Sequence, residues 1–256
     1  MQLRVSIDRA GYDQSATISD IHFNLQEGQL LAVIGPNGSG KTTLIRAISQ
    51  VLPHIEGQLH INGTDLFQTS ESSRARLIAV VPQSTYVPPS FLVWEVVLMG
   101  RTPYMNWNGK ASPEDEIFVR EAMEQTDVEK FKDQLCGELS AGERQRVILA
   151  RALAQNTPVL LMDEPTSHLD LRYQIEFLEL TRTLSLNNGK TVLVAMHDLN
   201  LAARFGDLFL AMKNGTTDAF GSARDVLLPK KLSEIYGLAV RVIKLPDGGS
   251  TVVIPQ

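Results

Sequence analysis

The chain has 256 residues, of which 43% are hydrophobic and 21% charged, and its formal net charge is −5 at pH 7. That length can bury a sizeable core in one large domain or two small ones, and the proportions are those of globular proteins, not of disordered chains. The acidic balance gives no sign of the basic face that a nucleic-acid-binding protein usually carries, so nucleic acid is not an expected partner.

The cysteine content and the lack of long apolar stretches narrow the cellular setting. Cys136 is the single cysteine, so no intramolecular disulfide can form, which favours a reducing compartment. Residues 1–9 carry charges and alternate like a strand, without the apolar run of a signal peptide. No segment reaches the ~20 apolar residues that a membrane helix needs. We therefore expect a soluble protein that requires a membrane-spanning partner if it works at a membrane.

The first part of the chain predicts strands followed by one helix. Residues 1–30 alternate and contain turn residues, which is typical of antiparallel strands, and Leu30–Ile34 is a short apolar run that predicts a buried strand. Lys41–Leu52 has apolar residues spaced for one buried helical face, and Pro53 follows it, so we predict a helix that ends there. Further buried strands are predicted at Ile78–Val81, Val159–Met162 and Thr191–Ala195.

Helical patterns replace strand patterns between about residues 84 and 157. Ser112–Asp115 combines an N-cap serine, a proline at the first helical position and an acidic residue at the third. Ser140–Glu143 has the same capping-box spacing and precedes an apolar-periodic segment that continues to Leu153. Two long helices are therefore predicted in this part of the chain.

The C-terminal part predicts two β-hairpins. Asp207–Met212 and Thr217–Phe220 flank Asn214-Gly215, the strongest short-range hairpin signal, and a second hairpin turn is predicted at Asp247-Gly248-Gly249. Together the elements predict an α/β fold with a core of mostly parallel strands. We expect a single domain over residues 1–256, in which 1–83 and 158–256 form the α/β core with an antiparallel β subdomain and 84–157 form a helical subdomain.

The segment Gly35–Thr42 has the sequence GPNGSGKT and matches the phosphate-binding pattern G-x-x-x-x-G-K-[ST], between a predicted strand and a predicted helix. Glycines allow the backbone N–H groups of such a loop to turn towards phosphate oxygens, and the following helix N-terminus adds a positive dipole end. Lys41 supplies a charge for the β- and γ-phosphates, and Thr42 offers a hydroxyl to Mg²⁺. The sequence therefore predicts a site for Mg-ATP on a P-loop NTPase core.

Asp163 and Glu164 follow the apolar run Val159–Met162. A strand buried on both faces has little reason to end in two carboxylates unless a cation or a reaction requires them. By themselves the pair are equally compatible with a solvated strand end, but beside a phosphate loop Asp163 suits Mg²⁺ and Glu164 suits polarisation of the attacking water.

Two further polar residues also follow predicted strands. His197 follows the predicted strand Thr191–Ala195, at the edge of the sheet where ligands bind. A histidine at a strand end is usually structural. Gln83 follows Ile78–Val81, where its amide either contacts the Mg²⁺ or the water, or caps a turn. The predicted metal ligands are therefore Thr42, Gln83 and Asp163.

Leu139–Gln145, with the sequence LSAGERQ, resembles the signature motif of ATP-binding cassette (ABC) ATPases. With the phosphate loop, Gln83, Asp163-Glu164, Ser167–Asp170 and His197, it completes the motifs of that family in their usual order, and the resemblance covers essentially the whole chain. The resemblance implies Glu164 as general base and His197 as a γ-phosphate switch, the two catalytic residues. It also implies that Gln83 links the nucleotide site to the transporter and that Asp170 lies at a dimer interface.

The resemblance also extends the set of binding residues. Tyr12 matches the aromatic residue that stacks on adenine, although it is equally compatible with an ordinary strand residue. The predicted nucleotide-binding residues are Tyr12, Gly35, Pro36, Asn37, Gly38, Ser39, Gly40, Lys41, Thr42 and Thr43. The signature residues Ser140, Ala141, Gly142 and Glu143 are implied to close on ATP bound to a second copy of the chain.

The signature departs from its commonest form, Ser-Gly-Gly-Gln, at two positions. Ala141 replaces a glycine, which would make a backbone with positive φ costlier there. Glu143 places an acid in the first helical turn, where it favours the helix and opposes a nearby phosphate. Since Ser140 and Gly142 are kept, we expect activity to survive.

Two weaker motifs indicate a branch of the family. Val96–Tyr104 and Lys231–Leu238 resemble segments of importers for metal chelates of the siderophore, haem and cobalamin type, although both are also compatible with packing residues. The resemblance implies a homodimer on the cytoplasmic face of the cell membrane, bound to a polytopic permease and served indirectly by a substrate-binding receptor.

Other functions compete with this one. A soluble ABC-type ATPase with a non-transport partner usually carries two cassettes or basic insertions, and a small-molecule kinase would have no use for Leu139–Gln145. An importer of another substrate, such as an oxyanion, is also compatible with the sequence.

Overall fold

A computed structural model describes residues 2–12, 15–83, 87–105, 109–244 and 251–256 of the chain. Its strands are β1 (Gln2–Gly11), β2 (Ile18–Gln26), β3 (Leu30–Ile34), β4 (His54–Ile61), β5 (Thr64–Asp65), β6 (Ile78–Val81), β7 (Val159–Asp163), β8 (Thr191–Ala195), β9 (Leu208–Lys213), β10 (Thr216–Gly221), β11 (Val240–Lys244) and β12 (Thr251–Pro255). Its α-helices are α1 (Lys41–Ile48), α2 (Glu71–Arg74), α3 (Val93–Leu98), α4 (Pro113–Gln125), α5 (Ala141–Ala154), α6 (Leu171–Asn188), α7 (Leu199–Phe205), α8 (Ala223–Val226) and α9 (Pro229–Tyr236). Short 3-10 helices occupy Leu66–Gln68, Met99–Tyr104, Glu129–Phe131 and Cys136–Glu138.

The central sheet has six strands in the order β10-β9-β3-β8-β7-β6. All neighbours from β9 to β6 are parallel, and β10 alone is antiparallel to its neighbour β9. Every residue of β3, β7 and β8 is buried, because both faces of the sheet are covered by other elements. The predicted α/β core of mostly parallel strands is thereby confirmed, with the predicted bounds of β3, β6 and β8.

The two faces of the central sheet contribute to two separate hydrophobic cores. Leu31 and Val33 of β3 pack with α1 and with the sheet β2-β1-β4-β5, whose strand pairs are all antiparallel. Leu30, Ala32 and Ile34 pack on the opposite face, in the core that includes residues of α5, α6 and α7. Because side chains alternate along a strand, β3 serves both cores and is held rigidly between them.

Helices occupy most of residues 93–154, as predicted, and both predicted capping boxes are present. The Ser112 Oγ accepts from the backbone N–H of Asp115 and opens α4, while the Ser140 Oγ accepts from that of Glu143 and opens α5. Each cap satisfies one of the N–H groups that a helix start leaves without a partner.

The Val96–Tyr104 segment contains a buried ion pair that ties it to α4 and α5. Arg101 is 3% exposed, and its Nε donates to the Asp115 carboxylate at 2.9 Å, while its Nη1 donates to the Ala154 carbonyl at the end of α5. Its guanidinium lies 3.9 Å from the ring centre of Tyr104 and 4.3 Å from that of Phe118. The packing role that the sequence left open for this motif is therefore present.

The predicted end of α1 is wrong. The helix ends at Ile48 and not at Leu52, because Gln50 adopts a left-handed conformation with φ 57°. The N–H of Gln50 bonds the Ala47 carbonyl and the N–H of Val51 bonds the Arg46 carbonyl, which is the Schellman arrangement that terminates helices. Val51 consequently lies outside the helix and is 68% exposed instead of lying on its buried face.

The first C-terminal hairpin is confirmed and the second in part. Asn214 and Gly215, with φ 50° and 82°, connect β9 to β10, as expected for a type I′ turn. Strands β11 and β12 pair in antiparallel register, while the turn predicted at Asp247-Gly248-Gly249 lies outside the described residues. Among the helices that the structure describes, none combines the length and the apolar character that crossing a membrane requires.

Candidate nucleotide-binding site

Three neighbouring strands of the central sheet end at one edge and place the predicted polar residues together. Strand β3 leads into the loop at Gly35, β7 into Glu164, and β8 into His197. Since β3 pairs with β8 and β8 with β7 in parallel register, the carboxyl ends of all three lie side by side. This is the edge at which open α/β sheets bind their ligands.

The loop Gly35–Thr42 connects β3 to the first turn of α1. Gly40 is the N-cap of α1 with φ 102°, and a Cβ there would lie 2.5 Å from the Cγ2 of Ile18. Both the backbone conformation and the space therefore require glycine at this position. The loop is also braced by the hairpin turn, because the Gly215 N–H donates to the Ser39 carbonyl.

Lys41 closes the loop on itself. Its Nζ donates to the Gly35 carbonyl at 2.8 Å and to the Pro36 carbonyl at 3.2 Å, and the residue is 4% exposed. Burial lowers the pKa of Lys41, while the nearby charges of Glu164 and Asp163 oppose that shift. Because the buried Lys41 ammonium has little hydration, it attracts an anion bound in the loop more strongly than an exposed lysine would.

Asp163 pairs with the helix that follows the loop. The Thr42 Oγ1 donates to its Oδ1 at 3.0 Å, and Asp163 is 6% exposed. Burial raises the pKa of Asp163, against the opposing effect of the hydrogen bond from Thr42. A hydroxyl and a carboxylate oxygen thus meet beside the loop, and these are ligand types that Mg²⁺ prefers.

Two side chains contact the same oxygen of the Glu164 carboxylate. Its Oε2 accepts from Gln83 Nε2 at 2.7 Å and lies 2.5 Å from His197 Nε2, while its Oε1 is 3.9 Å from Lys41 Nζ. Glu164 is 8% exposed and has φ 48°, a left-handed backbone that is uncommon outside glycine. Backbone strain of this kind is concentrated at functional sites.

The cleft formed by these residues has a volume of about 350 Å³. It is lined by Thr17, Asn37, Gly38, Ser39, Gly40, Lys41, Thr42, Thr43, Gln83, Glu164 and His197. Within the cleft lining, Ser39 Oγ is buried and has no hydrogen-bond partner among the described residues. An unpartnered hydroxyl, a desolvated lysine and a helix N-terminus fit a phosphate group, and the Thr42–Asp163 pair fits its magnesium ion.

Two residues near this cleft were not singled out from the sequence. Thr17 lines the cleft from the chain that precedes β2 and carried no motif. Arg46 donates to the hydroxyl of Tyr12 at 2.7 Å, and its guanidinium lies 5.7 Å from the centre of that ring. Tyr12 is 43% exposed, so its ring is accessible to a ligand. The position of Arg46 one turn after Thr42 was the signal that could have drawn attention to it.

The signature residues lie outside this cleft. None of Ser140–Glu143 lines it within the described part of the chain, whereas Ala141 lines a separate 330 Å³ depression with Gln83 and Ser167. The backbone cost considered for Ala141 does not arise, because this residue is the first of α5 and has no positive φ. Gly142 lies against Tyr173, and a Cβ there would approach the ring of Tyr173 to 3.1 Å, a tight contact.

Glu143 folds back onto the start of its own helix. Its carboxylate accepts from the Ser140 N–H at 2.8 Å and from the Ser140 Oγ at 2.7 Å. These two hydrogen bonds from Ser140 hold the pKa of Glu143 below its ordinary value. Asp170 is the exposed N-cap of α6 and accepts from the Tyr173 N–H at 3.2 Å.

A phosphate loop at the end of a central strand, with carboxylates at the end of a neighbouring strand, defines a nucleotide-hydrolysing protein. The ABC transporter family model matches residues 18–167 of the chain. The chain is 37% identical over 245 residues to the achromobactin transport ATP-binding protein CbrD of Dickeya dadantii, covering 96% of this chain and 91% of that protein. It is 35% identical to the iron(3+)-hydroxamate import ATP-binding protein FhuC of Bacillus subtilis, covering 92% and 88%.

Two solved structures are similar to this fold over most of the chain. A metal-chelate type ABC transporter in an inward-facing conformation aligns with a TM-score of 0.86 and 27% identity over 99% of this chain and 96% of that one. A dimeric bacterial ABC transporter cassette aligns with a TM-score of 0.73 and 27% identity, covering 87% and 98%. The chain therefore belongs to the ABC transporter family. It is one of that family's ATPases and binds ATP.

Proposed function

We propose that this chain is the ATP-hydrolysing subunit of an importer for a metal chelate, and that two copies act beneath a separate membrane permease. The observation that carries the proposal is the convergence of Gln83, His197 and Lys41 on Glu164 beside the phosphate loop. The relatives that transport achromobactin and import iron(3+)-hydroxamate support the metal-chelate substrate class. The chelate can be a siderophore, haem or cobalamin.

The phosphate loop and its neighbours bind Mg-ATP in this proposal. The buried Lys41 ammonium leaves the Gly35 and Pro36 carbonyls and pairs with the β- and γ-phosphates, while the loop N–H groups and Ser39 Oγ donate to phosphate oxygens. Thr42 and Asp163 would hold Mg²⁺ beside them, and Gln83 would be a third protein ligand. When bound, the ion neutralises charge on the phosphate oxygens. Tyr12 stacks on the adenine.

Glu164 is the general base in this proposal. A water molecule attacks the γ-phosphorus, its proton passes to the Glu164 carboxylate, and the bond to the β–γ bridging oxygen breaks to release ADP and phosphate. Gln83 and His197 hold Oε2 in place, which leaves Oε1 to receive the proton. In addition, His197 is 43% exposed at the cleft and can donate to the γ-phosphate as the switch residue.

The signature residues act on the ATP of a second copy. Their place outside the chain's own cleft and the solved dimeric cassettes support this arrangement. Ser140–Glu143 begin the 14-residue helix α5, whose N-terminus is a suitable anion site once the Ser140 hydroxyl turns from Glu143 to a phosphate. The exposed Asp170 lies at the same interface, and a two-fold dimer then holds two nucleotides.

Replacing Ser140 by arginine is expected to abolish ATPase activity without weakening ATP binding by the isolated monomer. The bulky cation blocks closure of the dimer, while the chain's own phosphate loop is unchanged. ATP binding by calorimetry and phosphate release are the measurements. Mixing this variant with Lys41→Ala restores one complete site, formed by the intact loop of one chain and the intact signature of the other. Partial activity after mixing is therefore expected.

Two results would contradict the proposal that each ATP site is formed by two copies of the chain. Loss of ATP binding by the Ser140→Arg monomer would mean that the signature acts within its own chain. Unchanged ATPase activity of that variant would mean that closure of the two copies is not required. The control variant is Ser72→Arg, since Ser72 is an exposed serine at the start of α2 with no part in the proposed site.

The chain is a peripheral subunit at the cytoplasmic face of the cell membrane in this proposal. The helical subdomain 84–157 contains α3 to α5, and the signature lies at the start of α5. Gln83 lies where this subdomain joins the core formed by 1–83 and 158–256. A movement of Gln83 on nucleotide binding would thus link the nucleotide site to the permease. A substrate-binding receptor delivers the chelate from the other side of the membrane.

Uptake by the reconstituted complex tests the transport role. The chain is expected to co-purify with a polytopic membrane permease when the two are expressed together. ATP is then expected to drive the transport of a ferric siderophore, haem or cobalamin into proteoliposomes only with an intact Glu164. Molybdate is the control substrate. Uptake of molybdate alone would favour an oxyanion importer, and failure to bind any membrane protein would favour an ATPase with a non-transport partner.

A further inference from the structure

The C-terminal residues form a module that packs on α7 and β9, behind the nucleotide site. We define the C-terminal module as α9 with the strands β11 and β12. Val253 is 5% exposed and Val240 8%, and both belong to the hydrophobic core that also contains residues of β3, β8 and α7. The Lys231–Leu238 motif lies largely in α9, and the proposed function gives it no role. The module is thus an integral part of the layer behind the site.

A single asparagine links the hairpin of the module to α7. Asn200 Nδ2 donates to the Val253 carbonyl at 3.3 Å, and the Val253 N–H donates to Asn200 Oδ1 at 2.7 Å. The side-chain amide therefore pairs with one backbone residue through both its donor and its acceptor, as a neighbouring strand would. Because the two residues are 53 positions apart, this pairing fixes α7 relative to the hairpin.

His197 lies between a fixed strand and this clamped helix. Strand β8 is fully buried in the centre of the sheet, and the Met196 N–H bonds the Val33 carbonyl, so the chain before His197 is rigid. After His197, Asp198 caps α7 by accepting from the N–H groups of Asn200 and Leu201. A seven-residue helix is not stable alone, so its position depends on such contacts.

The other end of the module reaches the first residue of the phosphate loop. The Tyr236 hydroxyl at the end of α9 is buried, and the backbone N–H of Gly35 faces it without completing a hydrogen bond. Burial raises the pKa of Tyr236 to about 12, and the Gly35 N–H opposes that shift. Lys213 Nζ also donates to the Glu234 carbonyl of α9 at 2.6 Å. The module is thus bonded to β9 and lies close to the first residue of the phosphate loop.

We propose that the C-terminal module is a brace that sets the position of His197 against Glu164, and that Asn200 is the positioning residue through which it acts. The chain of contacts runs from Val253 through Asn200 to the start of α7 and so to His197, whose Nε2 lies 2.5 Å from Glu164 Oε2. This inference rests on the role proposed above for His197. It assigns a function to the C-terminal module, which contains none of the nucleotide-binding motifs.

The variant Asn200→Leu tests the brace, since leucine has a similar size but cannot pair with Val253. Asn200 is exposed, so the change opens no cavity. We expect kcat to fall about tenfold, because a displacement of a catalytic group by a fraction of an ångström has effects of that order. The KM for ATP is expected to stay within about twofold, because the phosphate loop is untouched. Asn187→Leu, at an exposed asparagine of α6, is the control.

A histidine NMR measurement on the full chain separates positioning from general stability. The ring signals of His197, assigned by comparison with His197→Ala, are expected to shift in Asn200→Leu and to be unchanged in Asn187→Leu. Val253→Pro provides a second variant, since the Val253 N–H bonds Asn200 and is not needed for pairing with β11. It is expected to lower kcat and to shift His197 in the same direction.

A double-mutant cycle with His197→Ala decides whether Asn200 acts through His197. We expect Asn200→Leu to have no further effect on kcat once His197 is absent. An equal loss in both backgrounds, an unchanged kcat, or a fall in melting temperature without a shift of His197 would each overturn the brace. Normal turnover of His197→Ala would refute the proposed role of His197. A lack of ATP hydrolysis by the unmodified chain would refute the ATPase function itself.

Discussion

Glu164→Gln is expected to retain ATP binding and to slow hydrolysis by a factor on the order of 10²–10⁴, the usual contribution of a general base. The geometry makes this replacement unusually conservative. Gln83 and His197 both meet Oε2, so an amide oxygen at that position keeps both contacts. The amide nitrogen then takes the place of Oε1, 3.9 Å from Lys41 Nζ, and it cannot accept a proton. Only the proton transfer is therefore removed.

ATP-bound dimers of this variant are expected to accumulate, because closure proceeds while the chemical step does not. Gel filtration with and without ATP measures the dimer, and phosphate release measures turnover. Glu56→Gln, at an exposed position of β4, is the control and is expected to behave like the unmodified chain. Turnover of Glu164→Gln at the normal rate would exclude Glu164 as the base and make His197 the better candidate.

Lys41→Ala is expected to abolish nucleotide binding or to reduce hydrolysis by a factor on the order of 10²–10³, as for other preorganised electrostatic groups. The ammonium is 4% exposed and is held by the Gly35 and Pro36 carbonyls. Its removal takes away the lysine charge of the cleft lining that faces Glu164 and Asp163, so the carboxylates and the phosphates repel one another more strongly. ATP affinity and turnover should therefore fall together.

Two measurements check this expectation: the binding of a fluorescent ATP analogue and the rate of phosphate release. Lys132→Ala is the matched control, because Lys132 is exposed and lies away from the cleft lining. Lys41→Met adds a second comparison, since it keeps much of the side-chain length without the charge. ATPase activity near that of the unmodified chain in Lys41→Ala would refute the assignment of the phosphate loop.

Helix ends show where sequence patterns were sufficient and where they were not. The starts of α4 and α5 were predicted because a serine cap and an acidic residue three positions later meet within one turn of the chain. The end of α1 was missed, because Gln50 rather than glycine takes the left-handed position of its terminating motif. Pro53 instead indicated an end at Leu52, four residues beyond the observed end at Ile48.

The phosphate loop, the buried strands around it and the capped signature helix could all be predicted from the sequence, because each depends on residues that are adjacent in the chain. The contacts of Glu164 Oε2 with Gln83 and His197 could not be predicted in this way, since they require the order of β3, β8, β7 and β6 across the sheet. Asn200 and Val253 have no local pattern that connects them, and only the packing of the hairpin on α7 brings their polar groups within hydrogen-bonding distance. Such contacts depend on how distant segments pack, and local propensity carries no information about that.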